Sequence, residues 1–233
     1  MTKAESKVID FIKKHILLFL LVAVTIIAIF LRVCGMDFQS DDFNSFLNSW
    51  WSIIKLNDFT GLATQVGNYN IPYQVIIYLM TLLPLNALYA YKIVSIIFDF
   101  VLAISTAMLA YSFAKNNRRL KAILTYSAVL LSATVIFNSS FWAQCDSIYT
   151  SFIILAILFL HKDKPIASFV FIGIAFAFKL QTVFIIPVLL YYWISTKKIS
   201  ILHFFIIPAV DVIMCLPAII MGRSEERRVG KEC

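Results

Sequence analysis

The chain has 233 residues, of which 61% are hydrophobic and 14% charged, with a mean hydropathy of +0.87. A soluble domain carries about 25% charged residues, so this composition excludes a soluble globular class and implies an all-α polytopic membrane protein. The net charge of +7 lies in short basic clusters between apolar runs, a pattern that orients a chain in a bilayer and does not suggest nucleic acid.

Residues 16–33 (ILLFLLVAVTIIAIFLRV) form the first expected span. No small-residue cleavage site follows the run, so it is read as a retained span and not a signal peptide. Lys13, Lys14 and His15 precede it, which predicts a cytoplasmic N-terminus and places Asp37, Asp41 and Asp42 outside. A polar stretch then runs from Gly35 to Asn70. Within it Phe43, Phe46, Leu47, Trp50, Trp51 and Ile54 recur at helical spacing, with Asn44, Ser45, Asn48 and Ser52 between them. This predicts an amphipathic helix on the outer surface, its tryptophans at the interface.

Residues 71–86 are apolar but short and run into Pro84. Residues 87–114 make a strong span that ends on Lys115, Arg118, Arg119 and Lys121. That basic loop is cytoplasmic only if 71–86 does not cross, so 71–86 is expected to be short or non-crossing. The remaining spans alternate. Residues 122–138 run outward, 139–146 form an external corner, and 147–160 return to a basic turn, HKDK. Residues 166–178 go out, 181–194 return to Lys197 and Lys198, and 199–221 go out again. Several of these are short for a span, so tilting or partial penetration is expected.

Residues 1–222 are thus one transmembrane module. The last eleven residues, RSEERRVGKEC, carry seven charges and break the pattern. They look like translated adapter sequence, a non-native tail on an N-terminal fragment whose native frame was cut near Gly222; a genuine hydrophilic tail is the alternative. Cys34, Cys145, Cys215 and Cys233 show neither metal spacing nor a paired framework, and no structural disulfide is expected.

Four places offer chemistry. Asp37, Asp41 and Asp42 concentrate three of only 13 carboxylates within six positions at a membrane surface. A carboxylate there can act as a general base, bind a metal, or simply be solvated. In the corner FNSSFWAQCDSIYTSF, Trp142, Asp146 and Tyr149 would share one helix face, and Gln144 and Asp146 are polar groups in an apolar setting. Asp146 or Ser147 would equally serve as a helix cap. Lys179, beside Gln181, falls near the outer face, against the positive-inside trend. It would either face a phosphate or snorkel to the headgroups. In GNYNIPY, Asn68 and Asn70 are possible donors to a ligand, with Tyr73 close by, and a plain turn is the alternative. Asp99 and Asp211 lie inside spans. Asp99 could pair with Lys92 or a neighbouring helix.

Together these residues resemble the GT-C glycosyltransferases, multi-spanning enzymes that take a sugar from a polyprenyl-phosphate carrier at the outer face. SDDFNSFLNSWW looks like the first external loop of that superfamily, whose acidic residue is the proposed base. Asp42 matches best, with Asp41 as runner-up. GNYNIPYQVIIYLMTLLP resembles the next family segment, FWAQCDSIYTSF the glutamine-x-aspartate element, and FKLQTVFIIP the phenylalanine-lysine element before a proline. The resemblance covers about residues 15–222. It implies a GT-C-like helical bundle with an external loop holding the amphipathic helix, in a bacterial plasma membrane.

It further implies inverting hexosyl transfer to a glycan, lipid or protein acceptor. Asp42 or Asp41 would be catalytic, and Gln144, Asp146, Lys179, Asn70 and Tyr73 would bind the donor or its lipid phosphate. No cofactor is implied, and no metal, because a phosphate-linked donor needs none in principle. A transporter lined by Lys179, Asp99, Asp146 and Asp211 is the main rival, and a non-catalytic assembly protein is a further one.

Overall fold

The computed structural model describes residues 2–222; the tail 223–233, with Cys233, lies outside the described residues. Among those residues the chain is all-helical. Three helices are long and apolar enough to cross a membrane: α1 (Lys3–Val33), α4 (Ala87–Phe113) and the stretch Ile201–Ile220. Helix α1 begins well before its apolar run because Thr2 and Glu5 form a capping box. The Thr2 amide donates to Glu5 Oε2 at 2.6 Å and the Glu5 amide donates to Thr2 Oγ1 at 3.2 Å.

The acidic loop leads from α1 into a wide π-type turn, Phe43–Leu47, and then α2 (Asn48–Asn57). Phe43, Leu47, Trp51 and Ile54 are buried, while Phe46, Ile53 and Leu56 on the opposite side are exposed. The inward residues pack on α3 (Ile71–Thr81) and on Tyr91 of α4. Helix α3 carries Pro72 in its first turn. Its 11 residues rise about 16 Å, against a hydrocarbon core of about 30 Å.

The stretch expected as one span at 122–138 is broken. Helix α5 (Arg118–Leu130) stops, Ser132 takes an extended conformation, and α6 (Ala133–Ile136) continues into a second π-type turn, Phe137–Phe141. The two halves meet at 51°. Helix ends leave orphan carbonyls, and here the Leu130 carbonyl accepts from Arg32 Nη1 at 3.0 Å. Within the wide turn the Ser140 hydroxyl bonds back to the carbonyl of Ile136, at 2.7 Å. Three shorter helices follow, α7 (Asp146–His161), α8 (Pro165–Phe178) and α9 (Ile186–Thr196), and then α10 (Ile206–Ile220).

Helix α4 is the centre of the bundle, with α5 and α7 against it; α8 packs on α7, α10 on α8, and α1 on α5. One buried ion pair ties these layers. Arg32 Nε of α1 donates to Asp99 Oδ2 of α4 at 2.9 Å, with both side chains essentially inaccessible. Ser139 Oγ donates to Asp99 Oδ2 at 2.5 Å and Ser147 Oγ to Oδ1 at 2.6 Å. Asp99 therefore pairs with a neighbouring helix and not with Lys92. The Lys92 ammonium instead donates to the carbonyls of Gly35, Met36 and Phe38, at 2.7, 3.0 and 2.5 Å, gathering the loop that follows α1. Gly35 is required at that end, since a Cβ there would stand 2.8 Å from the Phe141 ring.

The bundle has two unlike ends. Lys115, Arg118, Arg119 and Lys121, the 161–164 turn and Lys197–Lys198 gather at one, where Lys198 Nζ meets Asp163 Oδ1 at 2.8 Å. The acidic loop, the 139–146 corner and Lys179 gather at the other.

Because truncating one partner of a buried pair strands the other charge, Arg32→Met should lower stability by about 3–5 kcal/mol. Arg32→Met/Asp99→Leu together should recover most of that loss. Unfolding in detergent micelles, followed by circular dichroism, measures both.

Candidate functional site at the acidic end

The acidic loop that follows α1 is fastened before it reaches Asp42. Lys92 holds the carbonyls at residues 35–38, and the Tyr89 hydroxyl donates to Asp37 Oδ1 at 2.6 Å. Ser40 Oγ then accepts the Phe43 amide at 3.1 Å, closing the turn on which Asp41 and Asp42 sit. Both aspartates are exposed. Asp41 makes no side-chain hydrogen bond among the described residues, whereas Asp42 is held.

The partner of Asp42 comes from the corner between α6 and α7. There the chain reverses through Ala143 at φ 56°, a left-handed conformation that is strained for a residue with a Cβ. The Trp142 amide donates to the Phe137 carbonyl at 2.9 Å and the Gln144 amide to the Asn138 carbonyl at 2.8 Å. This fixes Gln144. Its Nε2 donates to Asp42 Oδ2 at 3.0 Å, and its Oε1 accepts from the Tyr69 hydroxyl at 2.5 Å.

Tyr69 is set from below. Its ring meets Trp50 edge-on, with centroids 5.3 Å apart, and leans on Tyr73 at 4.7 Å. Trp50 in turn packs against Gly67, whose φ is 70°; a Cβ there would fall 2.2 Å from the indole. Burial first, and then Cys145 and the Asp146 and Asp42 carboxylates, push the Tyr69 phenol well above the ordinary tyrosine range, so it stays a donor. Burial likewise pushes the Cys145 thiol up to about 12, against the pull of Lys179, and the thiol remains uncharged.

Two residues beyond Gln144, Asp146 opens α7. Its Oδ2 accepts from Asn138 Nδ2 at 3.0 Å and its Oδ1 is ion-paired with the Lys179 ammonium. Lys179 ends α8 and its Nζ also lies 5.5 Å from the Tyr149 ring centre. Burial acts to lower the Lys179 ammonium, but Asp146 outweighs it and the net value is raised, so the lysine is charged. An open groove of about 410 Å³ adjoins the pair, lined by Tyr149, Thr150, Ile153, Gln181, Phe184 and Ile185. Among the described residues no three His, Cys, Asp or Glu side chains form a metal-ligating group.

Asp42, Gln144, Asp146 and Lys179 are thus brought to one end of the bundle. Tyr73 is not on that surface: it is 1% exposed, in the core beneath Tyr69. Asn70 occupies the N-cap position of α3 without a side-chain cap bond, and its carbonyl accepts from the Tyr73 and Gln74 amides at 3.1 and 3.3 Å. Trp142 does not share a helix face with Asp146 and Tyr149, because α7 starts only after the reversal at Ala143. Neither Asp146 nor Ser147 caps α7; Cys145 holds the cap position and Ser147 turns inward to Asp99. Three contributors carry no distinctive local pattern in the sequence: Tyr69, Asn138 and Arg32. Arg32 was detectable, since in the topology expected from the sequence an arginine at the end of the first span opposes the positive-inside trend, as Lys179 does.

Gly67→Ala should remove the seat of Trp50 and add about 1–3 kcal/mol of backbone strain. A lower unfolding midpoint and a red-shifted tryptophan emission are the expected readings. Comparison with protein-family models, with curated proteins and with solved structures finds no match for this chain.

Proposed function

We propose that this chain is a membrane glycosyltransferase of the GT-C type, moving a hexose from a polyprenyl-phosphate carrier to an acceptor hydroxyl at the outer face. The observation that carries the proposal is the bond between Asp42 Oδ2 and Gln144 Nε2, 102 positions apart in sequence. It joins the loop carboxylate to the corner bearing the Asp146–Lys179 pair, so a base and a cation stand at the same end of the bundle.

Asp42 is exposed and able to take the proton of an acceptor hydroxyl. The acceptor oxygen forms a bond to the anomeric carbon as the bond from that carbon to the phosphate oxygen breaks, inverting the centre. The bonding pair leaves on the lipid phosphate. Lys179, charged and half-buried, offsets that growing negative charge. The groove next to it, formed by Ile153, Phe184 and Ile185, has the apolar character an isoprenoid chain needs. Asp146 shares Lys179 with the incoming phosphate and keeps the ammonium aimed at the surface.

A carrier needs ionisable groups along an accessible path near the midplane. Asp99 offers none: it is enclosed by Arg32, Ser139 and Ser147.

Purified protein in liposomes, given radiolabelled polyprenyl-phosphate mannose or glucose with a glycan acceptor, should release polyprenyl phosphate and transfer label. Asp42→Asn should lower the rate about 100-fold or more. Undiminished transfer by Asp41→Asn/Asp42→Asn would remove the base assignment, and the absence of donor turnover by the native protein would overturn the function. In the same reading the N-terminus and the basic loops face the cytoplasm. Cysteines introduced at Asn44 and Asn116 should therefore label from opposite sides of sealed vesicles, and labelling from one side would sink that topology.

A further inference from the structure

We infer that Tyr69, acting through the Gln144 side-chain amide, is the positioning residue that holds Asp42 in its proton-accepting orientation. The inference rests on the transferase reading above and assigns to Gln144 a partner other than lipid phosphate.

An amide side chain has one accepting and one donating end, and either can face a given neighbour after a flip. Gln144 lies between a hydroxyl, 2.5 Å from its Oε1, and a carboxylate oxygen, 3.0 Å from its Nε2. Turned the other way, Oε1 would confront Asp42 Oδ2, acceptor against acceptor. A phenol that donates to Oε1 selects the orientation that serves Asp42. Tyr69 is suited to this, because Trp50 and Tyr73 fix its ring and the half-buried phenol keeps its proton. The backbone of Gln144 is fixed separately, by its bond to the Asn138 carbonyl.

The consequence for Asp42 is asymmetric. Its Oδ2 is occupied by the Gln144 amide, and its Oδ1 makes no hydrogen bond among the described residues. The carboxylate is therefore held by one oxygen and presents the other to an acceptor hydroxyl. Tyr69 reaches Asp42 only through Gln144, so a positioning role places its effect on the chemical step and not on donor binding.

The test is a double-mutant cycle on kcat and donor KM, using polyprenyl-phosphate hexose as the probe. Tyr69→Phe keeps the ring packing and should lower kcat about 10-fold, with KM unchanged. Gln144→Leu should give a loss of the same order, and Tyr69→Phe in the Gln144→Leu background should add nothing. Multiplicative losses, a wild-type rate for Tyr69→Phe, or an effect carried by KM would each overturn the inference while leaving the transferase reading intact, provided Asp42→Asn is inactive.

A second measurement needs no turnover. In micelles, ¹⁵N NMR of the Gln144 side-chain amide, assigned by its loss in Gln144→Glu, should show one slowly exchanging proton. Tyr69→Phe and Asp42→Asn should each abolish that slow exchange, and persistence in Tyr69→Phe would overturn the positioning role.

Discussion

The ion pair between Arg32 and Asp99 is the constraint around which the bundle is arranged. A carboxylate buried in an apolar interior is tolerated only when its charge and lone pairs are met. Asp99 meets that condition with groups from three other parts of the chain: Arg32 at the end of α1, Ser139 in the second wide turn and Ser147 in α7. Arg32 spends a further donor on the carbonyl that ends α5. One cluster thus decides where α1 stops against α4, where the broken α5–α6 element bends and where α7 begins. These are the same boundaries from which the polar end of the molecule is built.

Outward from that cluster, each tie passes position to the next. Lys92, seven residues before Asp99 on α4, gathers the carbonyls that follow α1 and directs the loop toward Asp42. On the far side, Ser139 and Ser147 bracket the reversal that carries Gln144 and Asp146. The exposed carboxylate and the ion pair with Lys179 therefore hang on supports that are buried. A surface group on a loop is ordinarily mobile. Here the loop is short between its fastenings and its side chain is met by an amide from another segment.

Much of this architecture was legible from residue order, for identifiable reasons. Long apolar runs must be helices in a bilayer, and carboxylates next to such runs must lie at the surface, which marked the loop and the corner. Lys179 was conspicuous because it stands against the positive-inside trend of the expected topology; its ion pair with Asp146 is a contact that only the fold reveals. What stayed hidden was set by packing. The break near Ser132 has no proline or glycine to announce it, and the Leu130 carbonyl it leaves over is met by Arg32, a contact across the fold. The expected helix face joining Trp142 to Asp146 assumed a regular helix through Ala143, whose positive φ rules that out. Tyr69 is an ordinary loop tyrosine in the sequence. Its importance arises from Trp50 lying on Gly67, a contact between distant positions that no local pattern encodes.

The two wide turns carry a further meaning. One directly follows Asp42 and the other contains Asn138 and Ser139. A π-type turn holds roughly one residue more than an α-turn, so side chains beyond it are rotated by about 100° relative to an unbroken helix. Helical phase before each turn is therefore decoupled from phase after it. Lipid-facing and core-facing stripes on the helices can keep their register while the polar residues next to the turns are set at another angle. Adding or removing one residue there would rephase the polar groups without disturbing the membrane packing, which makes these turns the places where such a bundle can be retuned.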